Sequence, residues 1–210
     1  MNSSEIPEKK SNSLEGLISK IDQMPDKGGA PVHLWNPDYC GELDMIIEEN
    51  GSWIYNKTPI GRQKLVKLFS SVLKREGDQY FLVTPVEKIG IKVKDVPFIA
   101  TSLDVNGSGK NQQLYFTTNV GDTVIAGQDH PLTFIGQQLN ETIKPYIHIR
   151  HDIADGLQAR LSRPVYYQLA NLAVEGQHDG KTCFGVWSDG VFFPLDSKTD
   201  QVEENGQGIS

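Results

Sequence analysis

At 210 residues and 38% hydrophobic content, the chain can bury a substantial core, as one large domain or two small ones, which excludes a wholly disordered protein. Its net charge of −7 repels polyanions, which argues against broad binding to nucleic acid or to an anionic membrane while leaving room for one small anionic ligand at a local basic patch. The two cysteines, Cys40 and Cys183, lie far apart without CxxC or Cys/His finger spacing, so neither a disulfide framework nor a structural zinc site is expected.

The opening MNSSEIPEKKSNS has no apolar signal core, and no apolar run of roughly 18 residues occurs. The expectation is therefore a cytoplasmic protein with no membrane span, in which the N-x-S/T matches at Asn50, Asn56, Asn106 and Asn140 carry no glycan. Residues 1–30 read as a tail with one short amphipathic helix, from Leu14, Leu17, Ile18 and Ile21 at helical spacing. A PDKGGAP linker leads into HLWNPDYCGELD, where Pro31 and Pro37 disfavour regular structure.

An N-terminal α+β unit is expected over 31–90. Met45 and Ile47 alternate before Asn50-Gly51, and Trp53 and Tyr55 alternate after it, which predicts a β-hairpin because Asn-Gly tolerates the positive φ of a tight turn. Thr58-Pro59 closes the second strand and can open a helix whose apolar stripe is Leu65, Leu68, Phe69, Val72 and Leu73, with Lys64, Lys67, Ser71 and Lys74 facing elsewhere. Glu76-Gly77-Asp78 stops that helix, and Tyr80 to Val83 form a strand interrupted by Pro85.

A C-terminal β-rich unit is expected over 91–196. Ile91/Val93, Phe98 to Val105, Leu114 to Thr118, Thr123 to Ala126, Leu132 to Phe134 and Tyr146 to Ile149 are short β-prone runs separated by turn residues, the pattern of a meandering sheet or partial barrel. Leu157 to Leu161 leads through Ser162-Arg163-Pro164 into a helix carrying Val165, Leu169, Leu172 and Ala173, followed by strands at Phe184 to Trp187 and Val191 to Leu195. Residues 197–210 form a polar tail expected to be disordered.

The helix that carries Leu65 and Leu68 has, with its flanks, a faint echo. Thr58-Pro59-Ile60 before Leu65 and Leu68 parallels Arg163-Pro164-Val165 before Leu169 and Leu172, one position out of register. Trp53 before Pro59 similarly parallels Trp187 before Pro194. The fold class expected is α+β and predominantly β, in two related β-rich units each with an amphipathic helix.

CGELDM (40–45), GSWIYNKTPIGR (51–62), LVKLFSSVLKRE (65–76) and YFLVTPVEK (80–88) resemble the bacterial family catalogued as domain of unknown function 1285. PYIHIR (145–150), LQARLSRPVYYQLANL (157–172) and GVWSDGVFFPL (185–195) resemble it too, so the likeness covers roughly residues 31–195. The resemblance implies two related α+β units, the C-terminal one pleckstrin-homology-like, with a cleft between them and a role in signal transduction. It carries no established activity. By the same resemblance Arg62, Thr84, Glu87 and Lys88 are candidate ligand-binding residues of that cleft.

The residues themselves weigh these candidates. Arg62 at a helix start combines free backbone N–H groups with a guanidinium suited to phosphate or carboxylate, against the plainer reading of a structural pair with Glu87 or Asp44. Lys64, Lys67 and Lys74 suit a solvated helix face. His148, His151, Asp152 and Asp155 have metal-ligand chemistry, but an odd spacing sends the two histidines to opposite faces of a strand. Cys40 with His33 lacks an orienting third residue, which favours an inert thiol. Asn106-Gly107-Ser108-Gly109-Lys110 lacks the GxxxxGK[ST] spacing of a phosphate loop and suits a hairpin tip. Trp53, Tyr55, Tyr166 and Tyr167 suit a core better than a pocket, and Glu48-Glu49 and Glu42 with Asp44 offer carboxylates without acid/base geometry. No catalytic residue, metal or cofactor is assigned. The expectation is a non-enzymatic regulatory protein sensing a small anionic, nucleotide-like ligand; the alternatives are a protein-interaction module and a hydrolase using Cys40 or the His148/His151 region.

Overall fold

The computed structural model describes residues 14–22, 31–136, 143–150 and 156–195. The chain forms two compact units, one of Met1–Pro97 with Arg150–Leu157 and one of Phe98–Ile149 with Gln158–Ser210.

In the first unit, α1 (Leu14–Asp22) is followed by a 3-10 turn at Val32–Leu34 and by β1 (Tyr39–Ile47). The prolines therefore confine irregular backbone to the residues before Tyr39, and CGELD is strand where sequence reading expected none. The hairpin at Asn50-Gly51 is as expected: β1 meets β2 (Trp53–Tyr55) antiparallel with Ile47 opposite Trp53. Asn56 and Lys57, both at positive φ, then turn the chain into β3 (Thr58–Pro59), which pairs with β2.

Helix α2 spans Gln63–Ser71 and ends earlier than the apolar stripe suggested. Val72 leaves the helical region at φ −111° and ψ 11°, and Leu73–Glu76 is strand β4, turning through Gly77 (φ 59°) into β5 (Gln79–Thr84). Leu73 lies opposite Leu82 and is fully buried, so long-range pairing captures a residue that helical periodicity also accommodates. Lys74 is consequently not a solvated helix lysine; it is 8% exposed on a strand. Strand β6 (Glu87–Val93) completes the unit, so Glu87 and Lys88 lie within a strand.

The sheet order is β3-β2-β1-β6-β5-β4, with β1 and β6 parallel and the other neighbours antiparallel. Strand alternation divides it into two faces. The register Leu73↔Leu82↔Ile89 marks one, and Lys74↔Phe81↔Gly90 marks the other. Trp53 stacks on Phe69 of α2 at 6.3 Å, and both are fully buried with Met45, Ile47, Leu82 and Ile89. Burial of each such side chain contributes about 1.5–3 kcal/mol. On the opposite face Val32 and Trp35 of the 3-10 turn cover Phe81 and Val83.

The second unit is built on β7 (Phe98–Asn106), β8 (Gln113–Thr118), β9 (Thr123–Ile125), β10 (Leu132–Ile135), β11 (Lys144–Arg150) and β12 (Leu157–Leu161), of which the end residues Arg150 and Leu157 group with the first unit. Helix α3 (Arg163–Ala170) follows, then a three-stranded sheet of β13 (Val174–His178), β14 (Lys181–Ser188) and β15 (Val191–Pro194). Strand β13 has no counterpart in the sequence reading, because VEGQH alternates no apolar residues. Leu172 and Ala173 lie beyond the end of α3, whose buried face is Val165 and Leu169. The buried Ser188 hydroxyl donates to Ala126 O at 2.6 Å and accepts the Leu114 N–H at 3.0 Å, so one side chain satisfies two main-chain groups of this unit.

The two six-stranded sheets are related. The second runs β9-β8-β7-β12-β11-β10, the same order as β3-β2-β1-β6-β5-β4, and its central β7/β12 pair is parallel like β1/β6. Each sheet is thus two runs of three consecutive strands joined by a parallel seam. The echo read from sequence belongs to a different register of this duplication: strand run, helix, strand run recurs as β1–β3/α2/β4–β6 and β10–β12/α3/β13–β15. Its prolines are not equivalent, since Pro59 sits in β3 and Pro164 in the first turn of α3.

Candidate functional site

The face of the first sheet that carries Phe81 and Gly90 holds a pocket of about 540 Å³, within the size range of small-molecule sites. Strand β1 supplies Tyr39 and Glu42, β4 supplies Glu76, β5 supplies Phe81, and β6 supplies Lys88, Gly90 and Lys92. Gly90 is what makes room. A Cβ there would lie 3.3 Å from Tyr39 Oη and 3.4 Å from Glu42 Cγ, so the bare backbone lets both side chains lie across the strand. The β1/β6 register shifts between Tyr39, Glu42 and Ile46, and Gly41 adopts φ 100°; irregular pairing of this kind re-aims side chains.

Phe81 forms one wall. Tyr39 meets it edge-on at 6.1 Å, and the Lys88 ammonium lies 5.0 Å from its ring centre. Glu76 sits between two ammonium groups, Lys74 at 3.0 Å and Lys88 at 3.1 Å. Burial pushes the Glu76 carboxyl upward, but hydrogen bonds and charge from Lys74 and Lys88 outweigh that, and the carboxyl is held below its ordinary range. Lys74 also donates to Trp35 O at 3.3 Å. At the pocket's margin, burial raises the Tyr80 hydroxyl, with Arg75 5.8 Å from its ring partly opposing the shift. Glu42 and Lys92 are exposed on the same face, and neither has a hydrogen-bond or ion-pair partner among the described residues.

The four residues singled out from sequence occupy different places. Lys88 lines the pocket. Thr84 is fully buried, and its hydroxyl accepts the N–H groups of Val86 at 3.4 Å and Glu87 at 3.2 Å, closing the β5–β6 turn. Glu87 lies opposite Thr84 on the other face of β6 from Lys88, where Lys20 of α1 holds its Oε2 at 2.6 Å and Oε1 is buried without a hydrogen bond. Arg62 is the residue before α2; its carbonyl accepts the Leu65 and Val66 N–H groups, while its exposed side chain forms no ion pair with Asp44 or Glu87. The structure therefore brings Thr84 and Glu87 together and leaves Arg62 apart from the pocket lining. Sequence reading did not assign Tyr39, Glu42, Glu76, Gly90 or Lys92 to a site. The isolated glycine in the apolar run IGIKV was the available signal, since a strand glycine marks close approach by another group.

Cys40 is exposed and its thiol donates to Asp38 O at 3.3 Å. His148 Nε2 lies 2.9 Å from Gln158 Nε2, whereas His151, Asp152 and Asp155 fall outside the described residues. Among the described residues no group of three or more His, Cys, Asp or Glu is placed to hold a metal. Asn106 to Lys110 is the β7–β8 tip, with Lys110 Nζ 5.1 Å from the Trp187 ring centre. Trp53 is core, and Tyr167 is exposed, accepting a hydrogen bond from Arg163 Nε at 3.0 Å. No helix among the described residues is long and apolar enough to cross a membrane.

Two adjoining family models match this chain. Residues 30–96 match the N-terminal domain of DUF1285, a domain of unknown function, and residues 97–195 match the C-terminal domain of the same family. The chain belongs to the DUF1285 family. A solved DUF1285 family protein from Silicibacter pomeroyi DSS-3 is 45% identical, covers 88% of this chain and 97% of its own, and superposes with a TM-score of 0.76. Another, from Shewanella baltica OS155, is 28% identical over 61% of this chain and 91% of its own, with a TM-score of 0.46. No curated protein matches the chain. The family boundary near residue 96 coincides with that between the two compact units of this DUF1285 protein.

Proposed function

We propose that this DUF1285 protein is a non-catalytic, cytoplasmic regulatory protein that senses a small anionic, nucleotide-like ligand in the Gly90 pocket and acts in signal transduction. The observation that carries the reading is Lys92, an exposed cation without an ion-pair partner among the described residues, on the same face as Lys88 beside a pocket of ligand size. A phosphate or carboxylate would meet these two ammonium groups, a planar ring would pack against Tyr39 and Phe81, and Glu42 would accept from ligand hydroxyls. The neighbouring carboxylates select against long polyanions, in keeping with the overall negative charge.

Calorimetric titration of the full chain with nucleotides and phosphorylated metabolites tests the assignment. Lys92→Ala is expected to weaken the best binder about tenfold or more, as loss of a charge-assisted hydrogen bond does. Gly90→Ala is expected to weaken it too, because the added methyl displaces Tyr39 and Glu42. Absence of any binder, or unchanged affinity in both variants, refutes the pocket. Loss confined to Arg62→Ala would instead put the anion at the start of α2.

A further inference from the structure

The second unit holds a separate pocket of about 600 Å³ between strand β10 of the six-stranded sheet and strand β15 of the three-stranded sheet. Its lining is mainly apolar, with Ile135, Phe192 and Pro194, and two polar side chains, Thr133 and His178, also line it. Thr133 Oγ1 and His178 Nε2 are both buried without a hydrogen bond among the described residues. The His178 nitrogen does lie 3.4 Å from Asp179 Oδ2, but not in hydrogen-bonding alignment.

One wall is shaped by two glycines. A Cβ on Gly176 would fall 2.5 Å from Phe192 Cζ and one on Gly185 would fall 2.4 Å from it, so the ring lies flat across β13 and β14 only because both positions lack a side chain. Trp187 supports the same ring at 5.1 Å. On the facing strand, alternation turns Leu132 and Phe134 into the core, leaving Thr133 on the other side with Gln158, whose amide is already engaged by His148. Apolar walls with a few convergent polar atoms are the general form of a small-molecule site, and buried polar atoms without partners are the feature a bound head group would satisfy.

We infer that this pocket binds a small apolar molecule, acyl or aryl, whose single polar head hydrogen-bonds Thr133 and His178. The site is independent of the Gly90 pocket, and so is its test. The full chain is titrated calorimetrically with decanoic acid and with 2-naphthol, which represent the acyl and aryl forms. Saturable binding of either is expected, weakened roughly three- to tenfold by Thr133→Val. Without ligand, Thr133→Val is expected to raise the melting temperature, because it removes a buried hydroxyl that has no partner. Lys92→Ala is expected to leave this binding intact. Failure of both probes to saturate, unchanged affinity in Thr133→Val, a lower melting temperature for that variant without ligand, or loss of binding in Lys92→Ala would each overturn the assignment.

Discussion

Glu76 shows how a few charges organise the Gly90 pocket. Its folded carboxyl titrates below its ordinary value of 4.5, so the stability it contributes is fully present above that value and is lost as pH falls through the depressed folded value. Glu76→Gln is expected to cost about 1 kcal/mol at neutral pH, modest because the side chain is 33% exposed, and the difference from wild type should vanish in acid. Urea denaturation at neutral pH and below pH 4 measures both; a deficit that persists unchanged in acid would contradict the ion-pair account. None of this was readable from sequence, where Lys74 belonged to a helix face and Glu76 to a helix stop. The pairing of Lys74 with Glu76 needs β4 to exist, and β4 exists because Leu73 meets Leu82.

At the scale of elements, the sequence signals were strongest where structure is local. The α1 stripe, the Asn50-Gly51 hairpin and the start of α3 at Ser162-Arg163-Pro164 all rest on neighbours a few residues apart. They were weakest where apolar residues serve either period, as at Val72-Leu73, and where a strand lacks apolar alternation, as in β13. Sheet packing adds constraints invisible in sequence. Gly185 is tightest: an added Cβ would meet Phe192 Cζ at 2.4 Å and the Phe193 carbonyl at 2.5 Å, and the latter is backbone that must itself shift. Gly185→Ala is therefore expected to destabilise the second unit by about 1–3 kcal/mol. Chemical denaturation followed by tryptophan fluorescence is the measurement, and because Gly185 is outside the left-handed region the loss reports close packing and not backbone strain. An unchanged transition midpoint in Gly185→Ala would remove the close-packing explanation.

At the scale of the molecule, chain order and unit membership differ. Arg150 lies far from α2 in sequence yet donates to Ser70 O, one of the last carbonyls of that helix, and belongs to the first compact unit. Arg150→Ala should lower the stability of that unit by about 1 kcal/mol. Hydrogen exchange measured residue by residue should show faster exchange of α2 amides while β7 and β8 keep their protection; unchanged α2 exchange would refute the role assigned to Arg150. The duplicated strand order also emerges only here. Fold class and duplication could be anticipated from two amphipathic helices among many short strands.

Short-range chemistry governs the features legible along the chain: two β-rich units with amphipathic helices, the turns at glycine and asparagine, and the family, through motifs spread over most of the residues. Tertiary structure alone decided the candidate sites. The parallel seam of β1 and β6 brings Glu42 beside Gly90, and the pocket between β10 and β15 has both Thr133 and His178 in its lining. Both arrangements join residues separated by more than 40 positions, and no periodicity within either segment encodes which distant strand it will meet.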